Sequence, residues 1–550
     1  MIMKRSIFFT LTLVALSLGS CQNDFLDRVP LDEIADETFW KNQEQLQLAV
    51  NAIYNNLKAK NTVDMENMGD NTLWPSNTAY LQIGSGNFGP DLGTLNSEWR
   101  NLYTGIRECN TFLENYQQAE VAVPARKEAL AAEVRVIRAY LYGYLTFLFG
   151  DVPLITKTLN IDELYGPRDP QSEVVDFILT ELEEAAAKLP VPIPTGSNLG
   201  KINKGAALAL KARYALYAGR YALAEKAAKD VMDLGIYQLF STGNPKTSYN
   251  VLFTYAGKLS GGKNQETILA RPHLEEINYH NLSREIQVPD QNARWNPTKS
   301  LVDAYLMIDG LPIDKSPLYK ETSYEDVFEN RDPRMTQTIL APGSPWGGRY
   351  DGNPKNTDPA IFTAPKFRSD RRGSVTITGY YFTKYVEPST VSRVGRDAND
   401  IHLIRYAEVL LTYAEARFEQ GKLMQADVDL TINKIRARVD MKPMVLPELA
   451  ANGLDVREEI RRERRVELAL EGQRYFDIRR WEQGELLAED VKGMKVAWAK
   501  VPSDVASLRT DQEGYIVAAT GRTFASKNYL WPVPLEQTQR NPALGQNPGW

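Results

Sequence analysis

Residues 211–228, KARYALYAGRYALAEKAA, and residues 412–429, TYAEARFEQGKLMQADVD, can be laid over one another with a constant offset. Both read Ala-x6-Gly-x4-Ala: Ala212, Gly219 and Ala224 in the first stretch, Ala414, Gly421 and Ala426 in the second. Small residues let two helices approach closely and the glycine frees the turn between them, so each stretch predicts a helix-turn-helix unit of the tetratricopeptide type. Apolar residues at helical spacing extend the pattern, Leu208, Ala212 and Leu216 against Leu410, Ala414 and Phe418. The same periodicity predicts helices over 42–58, 99–117, 125–149, 172–189 and 456–484. From about 237 to 400 the texture changes to Gly, Pro, Asn and Tyr, with short alternating runs such as Val375-Thr376-Ile377-Thr378. The expected fold is mainly α, with tetratricopeptide-like helical repeats packed against a loop-rich lobe that holds a few short strands.

The chain opens with Lys4 and Arg5, an apolar run from Ile7 to Leu18, and Leu18-Gly19-Ser20-Cys21. This order reads as a signal peptide over 1–20. The apolar run falls well short of the roughly 20 residues that a membrane-spanning helix needs. Small residues directly before a cysteine are what a lipoprotein-processing peptidase accepts, so Cys21 is the expected lipid attachment site. Cys109 is the other cysteine, expected to sit buried in a helix; with Cys21 lipidated, the fold has no disulfide. A length of 550 residues exceeds what one core supports. The expected organisation is therefore an N-terminal helical part over 21–236, the loop-rich lobe over 237–400 inserted between repeats, and C-terminal helical repeats with a closing loop segment over 401–550.

A net charge of -6, from 64 basic and 70 acidic residues, argues against a nucleic-acid partner held by phosphate neutralisation. The 27 Tyr and 9 Trp suit a neutral, hydroxyl-rich ligand instead. Catalytic signatures are scarce. His273, His280 and His402 show no zinc-protease spacing, Gly84-Ser85-Gly86 lacks the strand and helix of a phosphate cradle, and no nucleophile elbow occurs. Neither a metal nor a cofactor is expected. The block EEIRRERRVELALEGQRYFDIRRW, 458–481, alternates arginines with Glu463, Glu467, Glu471 and Asp477; it reads as a structural ion-pair helix able to clamp the repeats together.

Aromatic residues in polar loops are the candidate binding residues: Trp74 and Tyr80 in NTLWPSNTAY, Trp295 in QNARWNPT, and Trp346 with Tyr350 in SPWGGRYDG. Asn71, Asn77, Asn292, Arg294, Arg349 and Asp351 stand beside them. A sugar offers a C–H face that stacks on a ring and hydroxyl edges that need donors and acceptors. Each ring has a second reading, as a loop anchor packed on the core. The expected platform comprises Trp74, Trp346 and Tyr350, with Trp295 next.

Several blocks, in order, resemble the SusD/RagB family. They are Cys21-Gln22-Asn23-Asp24-Phe25-Leu26-Asp27 with Pro30 and Glu37-Thr38-Phe39-Trp40, then FLFGDVPLI (147–155), NRDPR (330–334), IRYAEVLLTYAEA (404–416), ERRVELALEGQRYFDIRRW (463–481) and LWPVPLEQTQRNPALGQNPGW (530–550). The resemblance implies a surface-exposed outer-membrane lipoprotein that binds glycan without catalysis and sits as a lid on a SusC-like TonB-dependent transporter. It transfers no ligand residue, because the family's ligand residues lie in variable loops. The competing readings are a glycan-degrading enzyme and a helical-repeat scaffold for another protein.

Overall fold

The computed structural model describes residues 39–288, 291–349, 360–368 and 373–550. The expected signal peptide, Cys21, Tyr350 and Asp351 lie outside them. Helix α1 (Gln43–Ile53) starts where the Asn42 side chain accepts the Gln45 amide at 3.0 Å, and it buries Leu46, Val50 and Ile53. Strand β1 (Thr72–Leu73) follows, then α2 (Gly93–Asn115), which begins six residues before the predicted start. Helix α3 (Pro124–Phe149) opens on proline, whose fixed φ suits a first helical turn, and is buried almost all round from Ala129 onward. That explains its uncharged stretch: α3 is the centre of the helical stack. Helices α4 (Gln171–Lys188), α5 (Lys204–Tyr217) and α6 (Tyr221–Asp233) continue the stack, each packed on the one before.

The chain then leaves the helices. Strand β2 (Thr267–Arg271) pairs antiparallel with β4 (Ile401–Arg405), which closes the excursion, while β1 pairs with β3 (Asn296–Pro297). Helix α7 (Tyr406–Glu419) packs on α6, so the helical array resumes as though nothing had intervened. It is followed by α8 (Gln425–Leu430), α9 (Val456–Glu467), α10 (Arg474–Arg480) and the antiparallel pair β5 (Val491–Lys495) and β6 (Tyr515–Ala519).

Both repeat glycines sit where predicted, in turns with left-handed backbone: φ is 68° at Gly219 and 66° at Gly421. Ala212, Ala224 and Ala414 are buried, but Ala426 is exposed. The second unit starts its second helix two residues further past its glycine, and Val428 takes the inward place. Two other expectations need correction. Residues 456–484 are not one helix: the chain turns between α9 and α10 through Leu470 (φ 66°) and Gly472 (φ 72°). A Cβ on Gly472 would stand 2.2 Å from the Thr62 carbonyl oxygen, and its amide donates to Glu66 at 2.8 Å. Residues 375–378 form no strand either, since the Thr376 hydroxyl accepts the Thr378 and Gly379 amides and curls the segment into a turn.

Two apolar cores result. One fills the helical stack, with Cys109 of α2 buried in it. The other gathers rings from the excursion, among them Trp295, Tyr305, Trp346 and Tyr381, together with Val439, Val466, Leu470, Met494 and Ile516 from later in the chain. Between them lies a buried charge network. Arg405 bonds Glu266 (2.7 Å), Glu467 (2.6 Å) and Glu471 (2.8 Å), and Arg438 bonds Glu467 (2.8 Å). Arg334 bonds Asp332 (2.7 Å), Glu463 (2.6 Å) and Glu467 (3.1 Å), Arg436 bonds Glu463 (2.9 Å), and Lys384 bonds Glu471 (2.6 Å). Five cations (Arg334, Lys384, Arg405, Arg436, Arg438) thus face five carboxylates (Asp332, Glu266, Glu463, Glu467, Glu471). The 458–481 block does pair its charges, but mostly with residues far away in sequence; Arg461–Glu458, Arg462–Glu459 and Arg480–Asp477 are local pairs, and Arg464–Asp477 joins α9 to α10 within the block.

The histidines add a pH dependence. Burial pushes His273, His280 and His402 down to about 4. Each stays neutral in the folded chain, whereas an unfolded histidine protonates near 6.5. Between those values the unfolded state binds more protons, so stability is full above pH 6.5 and falls as pH drops toward 4. Melting temperature followed from pH 8 to 4 should begin to decline near 6.5. A flat profile down to 4.5, where only carboxylates begin to protonate, would contradict this placement of the histidines.

Candidate functional site

Four sequence-distant loops meet around β3. Thr72 and Leu73 of β1 pair with Pro297 and Asn296. The Asn296 side chain donates to the Leu73 (3.1 Å) and Ala293 (2.9 Å) carbonyls and accepts the Ile377 amide (3.1 Å), so one buried amide ties three loops together. Ala293 N donates to Val375 O at 2.8 Å, and Ser374 N to Gly348 O at 2.8 Å. The loops carrying Trp74, Asn292, Arg294 and Arg349 therefore form one bonded layer.

Trp74 is the half-buried ring of that layer. Its centroid lies 5.0 Å from that of Trp295, tilted by 53°, and the Arg294 guanidinium stands 5.4 Å from its centroid. Cation and indole attract through the ring quadrupole. Asn292 and Asn77 are exposed and Arg349 is half-buried. The layer thus offers an apolar ring edge, a guanidinium and side-chain amides on loops pinned by backbone bonds. Such a set can stack on a sugar face and meet its hydroxyls.

The other predicted site residues fall elsewhere. Trp295 has no exposed surface: it is the floor beneath Trp74, with Lys60 Nζ 5.2 Å from its ring and paired to Asp64 and Glu285. Trp346 is 4% exposed and packs 5.2 Å from Phe362 and 5.1 Å from Tyr381, centroid to centroid. Neither ring is free to stack on a ligand, which corrects the expectation of a platform containing both. Asn71 is buried too, donating to Glu66 (2.8 Å) and accepting from Arg465 (2.8 Å), so its amide is already used. Tyr80 is half-buried against the helical core with its hydroxyl on Glu98 at 3.1 Å. Sequence reasoning missed Asn296, which holds the layer together, and the 373–378 loop.

The histidines are interior groups. The rings of His273 and His280 lie 4.6 Å apart, centroid to centroid; His280 is 2.9 Å from the Asn399 carbonyl, and His402 is 2.9 Å from the Thr267 hydroxyl. Among the described residues no group of three His, Cys, Asp or Glu side chains could hold a metal ion.

Comparison with known proteins gives a consistent picture. The SusD family profile matches residues 274–550, half of the chain, and a profile described as "Starch-binding associating with outer membrane" matches 24–216. The chain is 25% identical over 533 residues to the SusD-like protein P38 of Formosa agariphila, covering 88% of this chain and 94% of that one. It is 25% identical over 509 residues to the starch-binding protein SusD of Bacteroides thetaiotaomicron, covering 87% and 82%. The crystal structure of a SusD-like carbohydrate binding protein from Bacteroides fragilis superposes with a TM-score of 0.79 at 28% identity, over 92% of this chain and all of that one. With a family profile spanning half its length and a matching architecture, the chain belongs to the SusD family.

Proposed function

We propose that the protein binds glycan without transforming it, on the loop layer around Trp74, and passes it to a SusC-like TonB-dependent transporter of the outer membrane. The observation that carries this reading is Trp74 itself, a half-buried ring flanked by Arg294 and exposed amides on pinned loops. Family membership supports it, since relatives are named for starch and carbohydrate binding. Trp74, Asn77, Asn292, Arg294 and Arg349 are the residues assigned to ligand contact. Attachment to the membrane is through lipid on Cys21; one acyl chain binds only marginally, so stable anchoring needs more than one.

A tagged full chain expressed in its native host tests the membrane part. Extraction of the outer membrane in mild detergent should recover a large β-barrel with it, as an interface of about 2,000 Å² or more would require. Cys21→Ala should shift the chain out of the membrane fraction in cells lacking that barrel. Repeated recovery of the tagged chain alone would count against the transporter, and retention of Cys21→Ala in barrel-free membranes against the anchor.

A further inference from the structure

A cleft of about 540 Å³ opens between α9, the short helix Lys299–Ala304 and the β5–β6 hairpin, and it shares no residue with the Trp74 layer. Arg465 and Arg522 line it, the first with 11% of its side chain exposed and the second 7% exposed. Arg465 donates through Nε to Asn71 (2.8 Å) and through Nη2 to Ser300 (2.9 Å), and pairs with Asp70 at 3.0 Å. Arg522 donates through Nε to the Leu487 carbonyl (2.8 Å) and through Nη2 to the Gly84 carbonyl (2.9 Å). Among the described residues Nη1 of each has no partner, and neither atom is sealed from solvent.

Charge is out of balance there. Asp70 also bonds Arg474, at 2.7 and 3.0 Å, so one carboxylate serves two guanidiniums, while Arg522 bonds carbonyls alone. Three arginines with one bonded carboxylate leave two positive charges short of a counter-ion in a partly dry setting, which is costly unless an anion joins them. Burial brings Arg465 down to about 10 in spite of Asp70, and it lowers Arg522 as well. The exposed edge of the same cleft carries Asp314, Glu489, Asp490 and Glu513. The Tyr515 ring in its wall already has Lys299 4.5 Å and Lys495 4.8 Å from its centroid, so the cleft offers charge in place of a stacking face.

We propose that this cleft is a second binding site, which takes the carboxylate of a uronic acid, carried on an otherwise neutral glycan, on Nη1 of Arg465 and Arg522. Guanidinium and carboxylate match in shape, and hydrogen bonds between charged partners are the strong ones. The volume falls within the range of small-ligand sites, about 300–1,000 Å³. The carboxylates at the edge accept sugar hydroxyls and repel further anionic groups within a Debye length, about 8 Å at physiological salt. A glycan with an acid on every unit is therefore disfavoured against one with a single acid. The inference rests on the glycan reading in one respect, that the carboxylate arrives on a sugar.

The test is calorimetric titration of the full chain with aldotriouronic acid, a glucuronate on two xylose units, and with xylotriose. The acid should bind about tenfold more tightly than xylotriose, as one added hydrogen bond to a charged group gives, and more tightly than acetate or inorganic sulfate. Arg522→Gln should remove that preference and Trp74→Ala should keep it. Because Arg522 is buried and its variant can lose the fold, a second variant reverses charge at the edge: Glu489→Lys with Asp490→Lys, both exposed. This pair should tighten acid binding several-fold at low ionic strength and leave xylotriose unchanged. Equal affinity for the acid and xylotriose would overturn the inference and leave the glycan reading intact. Acetate or sulfate bound as tightly as the acid would also overturn it, as would a preference lost in Trp74→Ala or an acid affinity untouched by the charge reversal.

Discussion

Replacing Glu467 by Ala is expected to lower the unfolding free energy by about 3–5 kcal/mol, the range for removing one partner of a buried ion pair. Its carboxylate receives Arg334, Arg405 and Arg438 and is fully buried with them. Burial alone would raise its pKa, but the three guanidiniums outweigh this and hold it far below the usual carboxylate range. Without it, three arginines remain dry against too few negative charges. Glu471 behaves alike, held at about 2 by Arg405 and Lys384 against its burial, and burial brings Lys384 down to about 8 despite Glu471. Denaturant unfolding would show the loss as a lower midpoint at unchanged slope. An exposed pair such as Lys226–Asp230 should show no measurable effect when broken. A Glu467→Ala loss below about 1 kcal/mol would mean that water reaches the network, contrary to its packing.

Trp295→Ala should be comparably severe, about 3–5 kcal/mol, because a fully buried indole leaves a cavity that the pinned loops cannot close. The ring also supports Trp74 from below. Trp346→Ala should destabilise in the same way through Phe362 and Tyr381. Trp74→Ala should cost much less than either, since its ring sits at the rim of that core and keeps part of its surface in water. Thermal unfolding of the three variants side by side separates supporting rings from a contact ring. A large loss for Trp74 with little change for Trp295 would reverse the assignment.

The repeats were legible because their information is local: Ala and Gly at fixed spacing state both the close approach and the turn. The charge network was half legible. Spacing along 458–481 pointed to internal pairing, but Glu266, Arg334, Lys384, Arg405 and Arg438 are brought to it by chain reversals that no local pattern announces. Rings in polar loops were the hardest to read. Trp74 and Trp295 have similar neighbours, yet pairing of β1 with β3 turns Trp295 inward and leaves Trp74 at the rim. At Trp346 the glycines, which read in the sequence as an open loop, serve burial instead: a Cβ on Gly348 would lie 2.8 Å from the Trp346 ring, so glycine there lets the indole fold beneath its own backbone.

Calorimetric titration of the purified protein against a panel of oligosaccharides, with product analysis on the same mixtures, tests the central claim most directly. Stacking contributes about 0.5–1.5 kcal/mol per ring beyond area burial, and millimolar to micromolar binding corresponds to about 4–8 kcal/mol. At least one glycan should bind in that range with no product released, and Trp74→Ala should weaken it about tenfold while the fold stays intact. Release of shortened glycan at enzymatic rates, or an affinity that Trp74→Ala leaves unchanged, would contradict the account.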